Sequence, residues 1–98
     1  MRVVVPPAAE LRLAATMRFY KEAYSDEYAT RVLDALDEAI LWLGDHPYGG
    51  PSEPLVRGKH AYRKLIVGYV KIVYFVGRNR LVVTDFFDGR QDPRKMKS

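Results

Sequence analysis

Ninety-eight residues, 48% hydrophobic and 29% charged, suffice for one domain, residues 1–98, that buries roughly 65% of its unfolded surface, and they exclude a disordered or fibrous chain. No apolar run approaches the roughly 20 residues that cross a bilayer, Met1-Arg2-Val3-Val4-Val5-Pro6 is too short for a signal segment, and the lack of cysteine removes disulfides and thiolate metal sites, so the expectation is a cytoplasmic protein with no cofactor, no metal and no membrane partner. The net charge of +4 is segregated: residues 1–50 hold five cations against eight carboxylates, and residues 51–98 hold eleven against four, so the second half presents a basic surface suited to phosphates or acidic proteins.

Arg2 to Val5 is a short β-branched run stopped by Pro6-Pro7, which predicts an edge strand, because proline cannot donate to a ladder. A helix follows with Pro7 or Ala8 in its first turn. Leu11, Ala14, Ala15, Arg18, Phe19 and Glu22 recur at helical spacing and are expected to form its mostly apolar stripe. Ser25 then sits as an N-cap with Asp26 and Glu27 behind it, where the helix dipole favours carboxylates. Ala29, Val32, Leu33, Leu36, Ala39, Ile40 and Leu43 mark a period of 3.6, and Gly44 occupies the expected left-handed C-terminal position. Trp42 flanks this stripe and is expected to serve packing.

Proline and glycine crowd "DHPYGGPSEP" (45–54), a loop, and beyond it the period changes from 3.6 to 2. Tyr62 to Val67 predicts one strand. Val70, Ile72, Tyr74 and Val76, alternating with Lys71, Val73 and Phe75, predict a second, and Leu81 to Phe87 a third, with turns at Gly68 and at Gly77-Arg78-Asn79-Arg80. The predicted fold is α+β, in the order β-α-α-β-β-β, with a helical hairpin packed on one face of a small, mainly antiparallel sheet. Two helices cover only part of one side, so residues 65–87 are expected to leave apolar surface for a partner.

The last run ends in "FFDGRQDPRK" (86–95). Asp88-Gly89 is expected to end the strand through glycine's freedom of dihedral angle, and Pro93 to prevent renewed pairing. Arg90, Arg94 and Lys95 are expected to emerge beside Arg63 and Lys71 as one cationic region. Asp85 has two readings, a buried acid or an outward polar residue beside Thr84. His46 and His60, without cysteines, suit loop architecture better than zinc.

Taken together, the short first strand, the helical hairpin, the "HP" loop, "YRKLIV", "GYVKIVYFV" and the closing "GRQDP" resemble the RelE/ParE superfamily of type II toxin–antitoxin toxins over essentially the whole chain. "LGDHPYGGPSEPLVRGKHAYRKLIV" is closest in layout to the ParE branch. The resemblance implies a small toxin neutralised by a ParD-like antitoxin, assembled as a homodimer or as a hetero-oligomer with it, and acting on DNA gyrase with Arg63, Arg90, Arg94 and Lys95 toward the target. The RelE branch implies the alternative, cleavage of ribosome-bound mRNA, with Arg63, Lys71 and Arg90 at cationic catalytic positions and Asp88 or Asp92 left to act as base, since no Tyr or His follows the last strand. RNA cleavage by 2′-hydroxyl attack needs such a base, phosphate-binding cations and an acid for the leaving oxygen.

Overall fold

The computed structural model describes residues 1–90 and 93–98. The elements follow in the expected order: β1 (Arg2–Val4), α1 (Pro7–Ala23), α2 (Asp26–Asp45), β2 (Arg63–Val67), β3 (Val70–Val76) and β4 (Arg80–Asp88), with a short 3-10 turn at Pro93–Lys95. The sheet order is β1-β4-β3-β2. The three later strands form an antiparallel meander, and β1 adds to β4 in parallel, with Val3 beside Leu81. Among the described residues, no helix is long and apolar enough to cross a membrane.

The second helix forms for the reasons its sequence states. Ser25 is extended, and its hydroxyl accepts from the Tyr28 amide at 3.0 Å, satisfying one of the open donors of the first turn. Ala29, Leu36 and Leu43 are buried along the predicted stripe, with Val32, Leu33, Ala39 and Ile40 packed beside them. Gly44 departs from expectation: α2 runs on through Asp45 to a cap at His46, and Gly44 is itself helical without a positive φ. Its role is close approach. The Met1 nitrogen donates to the Gly44 carbonyl at 2.7 Å, and a Cβ there would lie 3.2 Å from the Met1 oxygen. Trp42 stacks on His46 at 4.5 Å, and the His46 imidazole in turn sits 3.1 Å from the Trp42 carbonyl.

The first helix buries the face opposite to the one expected. Ala9, Leu13, Met17 and Tyr20 turn inward, whereas Leu11 is 72% and Phe19 55% exposed, with Ala14, Ala15, Arg18 and Glu22 on the outside as well. Apolar residues surround most of this helix, so periodicity alone selects no face; the large Tyr20 and Met17 decide it by fitting between α2 and the sheet.

On the sheet's inner face lie Val70, Ile72, Tyr74, Leu81, Val83 and Phe86. A bulge sets this pattern: Val73 pairs with Asp85 and Tyr74 with Val83, so Thr84 is the extra residue and the alternation of β4 reverses there. The outer face is not left bare, contrary to expectation. The connection after α2 folds back over it, bringing Val56 and Tyr62 against Val73, with Phe75 and Met96 at the margin. Tyr62 thus lies outside the strand it was expected to begin. Gly68, with φ of 60°, makes the β2–β3 turn. Gly89 has no such angle; its amide donates to the Tyr69 carbonyl at 2.7 Å where β4 ends.

Candidate functional site

Chemistry concentrates where β4 ends against α1. Asp88 stands opposite Val70 and is 6% exposed. Its carboxylate accepts from the Tyr20 hydroxyl at 2.7 Å, from the Arg90 amide and Nε at 2.9 Å each, and from Arg90 Nη2. The guanidinium continues outward, lying 4.2 Å over the Tyr69 ring and donating to the Tyr24 hydroxyl at 3.3 Å. Tyr20 meets Tyr24 and Tyr28 edge-on at 6.1 and 5.4 Å. An anchored arginine framed by tyrosines results, two-fifths exposed. On one side of Tyr20 lies a groove of about 210 Å³ bordered by Arg12, Ala15 and Phe19; on the other, an apolar pocket of about 270 Å³ between α2 and the β2–β3 turn, with Arg31 at its wall.

The electrostatics follow from these bonds. The hydrogen bonds of Arg90 hold the Asp88 carboxyl down at about 2, against the burial that would raise it. Burial, reinforced by the Asp88 charge, pushes the Tyr20 hydroxyl well above its usual range, so it remains a donor. Arg90 is held still more firmly in its charged form by Asp88. Asp88 is consequently a poor general base: it is ionised, but every near direction is filled by a donor and its basicity is too low for proton abstraction near neutrality.

The other predicted cations go elsewhere. Arg63 opens β2 opposite Tyr74 on the helix-facing side, donates to the Gly50 carbonyl at 2.7 Å and lies 5.0 Å over the Tyr48 ring. Lys71 is opposite Ile66 on the outer face and donates to Glu53 Oε1 at 2.9 Å. Arg63 and the Asp88–Val70 row are separated by four residue steps along β3, roughly 13 Å. The expected single region of Arg63, Lys71 and Arg90 therefore does not form: one alternation places Arg63 and Lys71 on opposite faces. Arg94 and Lys95 are exposed in the 3-10 turn; Asp92, the other carboxylate considered as a base, lies outside the described residues, as does the side chain of Pro93.

Two buried acids complete the charge pattern. Glu53 is 2% exposed and receives Lys71 on Oε1 and Lys64 at 2.9 Å from Oε2, the latter off the hydrogen-bonding direction. Burial would raise its carboxyl, but the two lysines outweigh it and hold it below the usual range. Asp85 proves to be the buried acid of its two readings: it takes Arg12 at 2.8 Å and the Lys97 amide at 2.9 Å, while Thr84 donates to the Lys97 carbonyl at 3.0 Å, tying the tail to β4. Sequence reasoning missed Glu53 and Tyr20. A carboxylate at the end of a Pro/Gly loop, ahead of Lys64 and Lys71 on the same face of neighbouring strands, was the signal for the first; Tyr20 offered none.

No protein-family model matches the chain, and no curated protein sequence does. Its backbone does match a solved chain from P. aeruginosa described as "Chromosomal ParDE TA system", with a TM-score of 0.74 over 90% of this chain and 95% of that one, at 16% identity. Two helices on a four-stranded mixed sheet in the order β-α-α-β-β-β are thus common to both, and the fold is RelE/ParE-like.

Proposed function

We propose that this chain is the toxin of a type II toxin–antitoxin module, of ParE-like character, that inhibits DNA gyrase by binding it and is neutralised by a cognate ParD-like antitoxin. The observation that carries the choice of a binding mode over ribonuclease chemistry is the state of the cations. Lys71 is neutralised by Glu53, Arg90 by Asp88, and Arg63 is spent on backbone carbonyls. A phosphoryl-transfer site needs a base and unengaged donors around one phosphate, and these residues surround no common point.

Arg90, framed by Tyr24 and Tyr69 and pre-set by Asp88, has instead the make-up of a protein-binding hot spot: arginine and tyrosine in a rigid setting, beside an apolar pocket. The exposed Leu11–Ala15–Phe19 stripe of α1 supplies apolar surface for an antitoxin segment. The likeness to the ParDE chain supports the toxin–antitoxin reading as a whole.

A direct test adds the purified chain to gyrase and relaxed plasmid with ATP. Supercoiling is expected to fail, and to recover when the product of the adjacent reading frame is added. The Arg90→Ala chain is expected to inhibit at least tenfold less well, the loss of one hot-spot side chain. Undiminished supercoiling at large molar excess of the folded chain would remove gyrase as the target.

A further inference from the structure

We infer that the outer face of the sheet, near the β3–β4 turn, binds single-stranded nucleic acid, with a base stacked on His60 and the backbone tracked by Arg57, Lys59, Arg78 and Arg80. The inference goes beyond the gyrase reading and does not depend on it. In residues 46–98, among the described residues, Glu53, Asp85 and Asp88 are all buried, and each is ion-paired internally. Among the described residues of this half, the exposed side-chain charges are therefore all cationic. Arg57, Lys59, Arg78 and Arg80 are exposed, and their side chains make no hydrogen bond or ion pair with the described residues.

Two connections of the fold carry these four. The connection carrying Arg57 and Lys59 lies over the outer face, fixed by Val56 and Tyr62 against Val73. Arg78 and Arg80 belong to the β3–β4 turn, closed by the Gly77 amide donating to the Arg80 carbonyl at 2.8 Å, and a Cβ on Gly77 would come within 3.9 Å of the Phe75 ring. His60, next in the chain to Lys59, lies flat on Phe75, the ring that also borders the Gly77 turn, with ring centres 3.7 Å apart and planes within 3°. His60 is exposed, and beside the pair runs a groove of about 310 Å³ bordered by Lys59, Tyr62, Thr84 and Ser98.

Unneutralised cations around an aromatic stack are the two parts of a single-strand site: the charges hold phosphates without regard to sequence, and a base extends the stack. A base fits the flat, exposed stack of His60 on Phe75 as well as the cations, whereas an acidic protein would need only the cations. A duplex keeps its bases stacked on one another and could not reach His60.

Fluorescence anisotropy of the intact chain with short labelled oligothymidylate and oligouridylate tests this. Binding is expected to at least one of them, and the preferred one identifies DNA or RNA as the source. Four phosphate contacts predict a roughly 50-fold loss of affinity between about 50 and 200 mM salt. The variant Arg78→Ala/Arg80→Ala, altered at two exposed positions where β3 turns into β4, should lose half of that salt dependence, leaving a roughly sevenfold change, at unchanged melting temperature. His60→Ala should weaken binding about tenfold at all salt concentrations. The inference is overturned if neither oligonucleotide binds at low salt, if both variants bind like the parent, if the matching duplex binds more tightly than the single strands, or if polyglutamate competes on equal terms.

Discussion

Replacing Asp88 by Ala should lower the melting temperature by about 15–25 °C, the equivalent of about 3–5 kcal/mol in a domain of this size. The carboxylate is the common acceptor of four donors. Its removal leaves the Tyr20 hydroxyl buried without its partner, and it frees a guanidinium whose position over Tyr69 rests on that anchor. Asp88→Asn separates the two contributions, since the amide oxygen still accepts from Tyr20 while the charge is lost. Its cost should fall between those of the parent and Asp88→Ala.

The same substitution predicts a change in acid stability. With the folded-state pKa of Asp88 depressed to about 2, the unfolded chain binds the proton more readily, so the stabilisation is fully present above about pH 4 and is lost as the pH falls toward 2. The effect amounts to about 2 kcal/mol. Thermal melts of Asp88→Asn should consequently show a shallower loss of stability between about pH 4 and 2 than the parent. Glu53, also depressed, keeps part of that slope in the variant. Equal slopes in the two proteins would show that Asp88 is not held in the ionised form by the fold.

Gly50→Ala should cost about 3 kcal/mol, the upper end for overpacking. A Cβ at Gly50 would lie 2.1 Å from the Lys64 carbonyl oxygen and 2.6 Å from the Tyr74 hydroxyl. The first neighbour is backbone of β2, tied down by the Lys64 amide donating to the Pro51 carbonyl at 3.0 Å, and it has little freedom to yield. The second is a buried hydroxyl that accepts from the Gly50 amide at 2.9 Å and would lose that bond as the loop moves. Gly68→Ala gives the contrasting measure. Its φ is positive but its surroundings are open, so only the left-handed penalty of about 1 kcal/mol applies. If chemical denaturation gave the two variants equal stability, close approach would not be what glycine serves at position 50.

Legibility in the sequence differed from element to element for physical reasons. In α2 the cap, the acidic first turn and a single apolar stripe agree, and its extent was readable from Ser25 to Leu43. In α1 two sets of positions, one through Leu11 and Phe19 and the other through Ala9 and Tyr20, are both apolar at helical spacing; the choice belongs to tertiary packing, which no local pattern contains. The parallel addition of β1 is a contact between residues about 80 positions apart and has no local sign. For the site, Arg90 was legible as the residue leaving the last strand. That Arg63 and Lys71 fall on opposite faces follows from the turn at Gly68-Tyr69, which sets Arg63 against Tyr74 and Ile66 against Lys71; alternation alone implied it once the turn was placed. Thr84, the bulge residue, was the source of the two readings of Asp85, because strict alternation fails there.

The measurement that bears most directly on the proposed function is pulse labelling of DNA, RNA and protein synthesis in bacteria after induction of this chain without its neighbour. The gyrase reading predicts that thymidine incorporation falls first while amino-acid incorporation continues. An immediate collapse of protein synthesis with DNA synthesis intact would contradict it and would return Arg63, Lys71 and Arg90 to consideration as the cations of a ribonuclease.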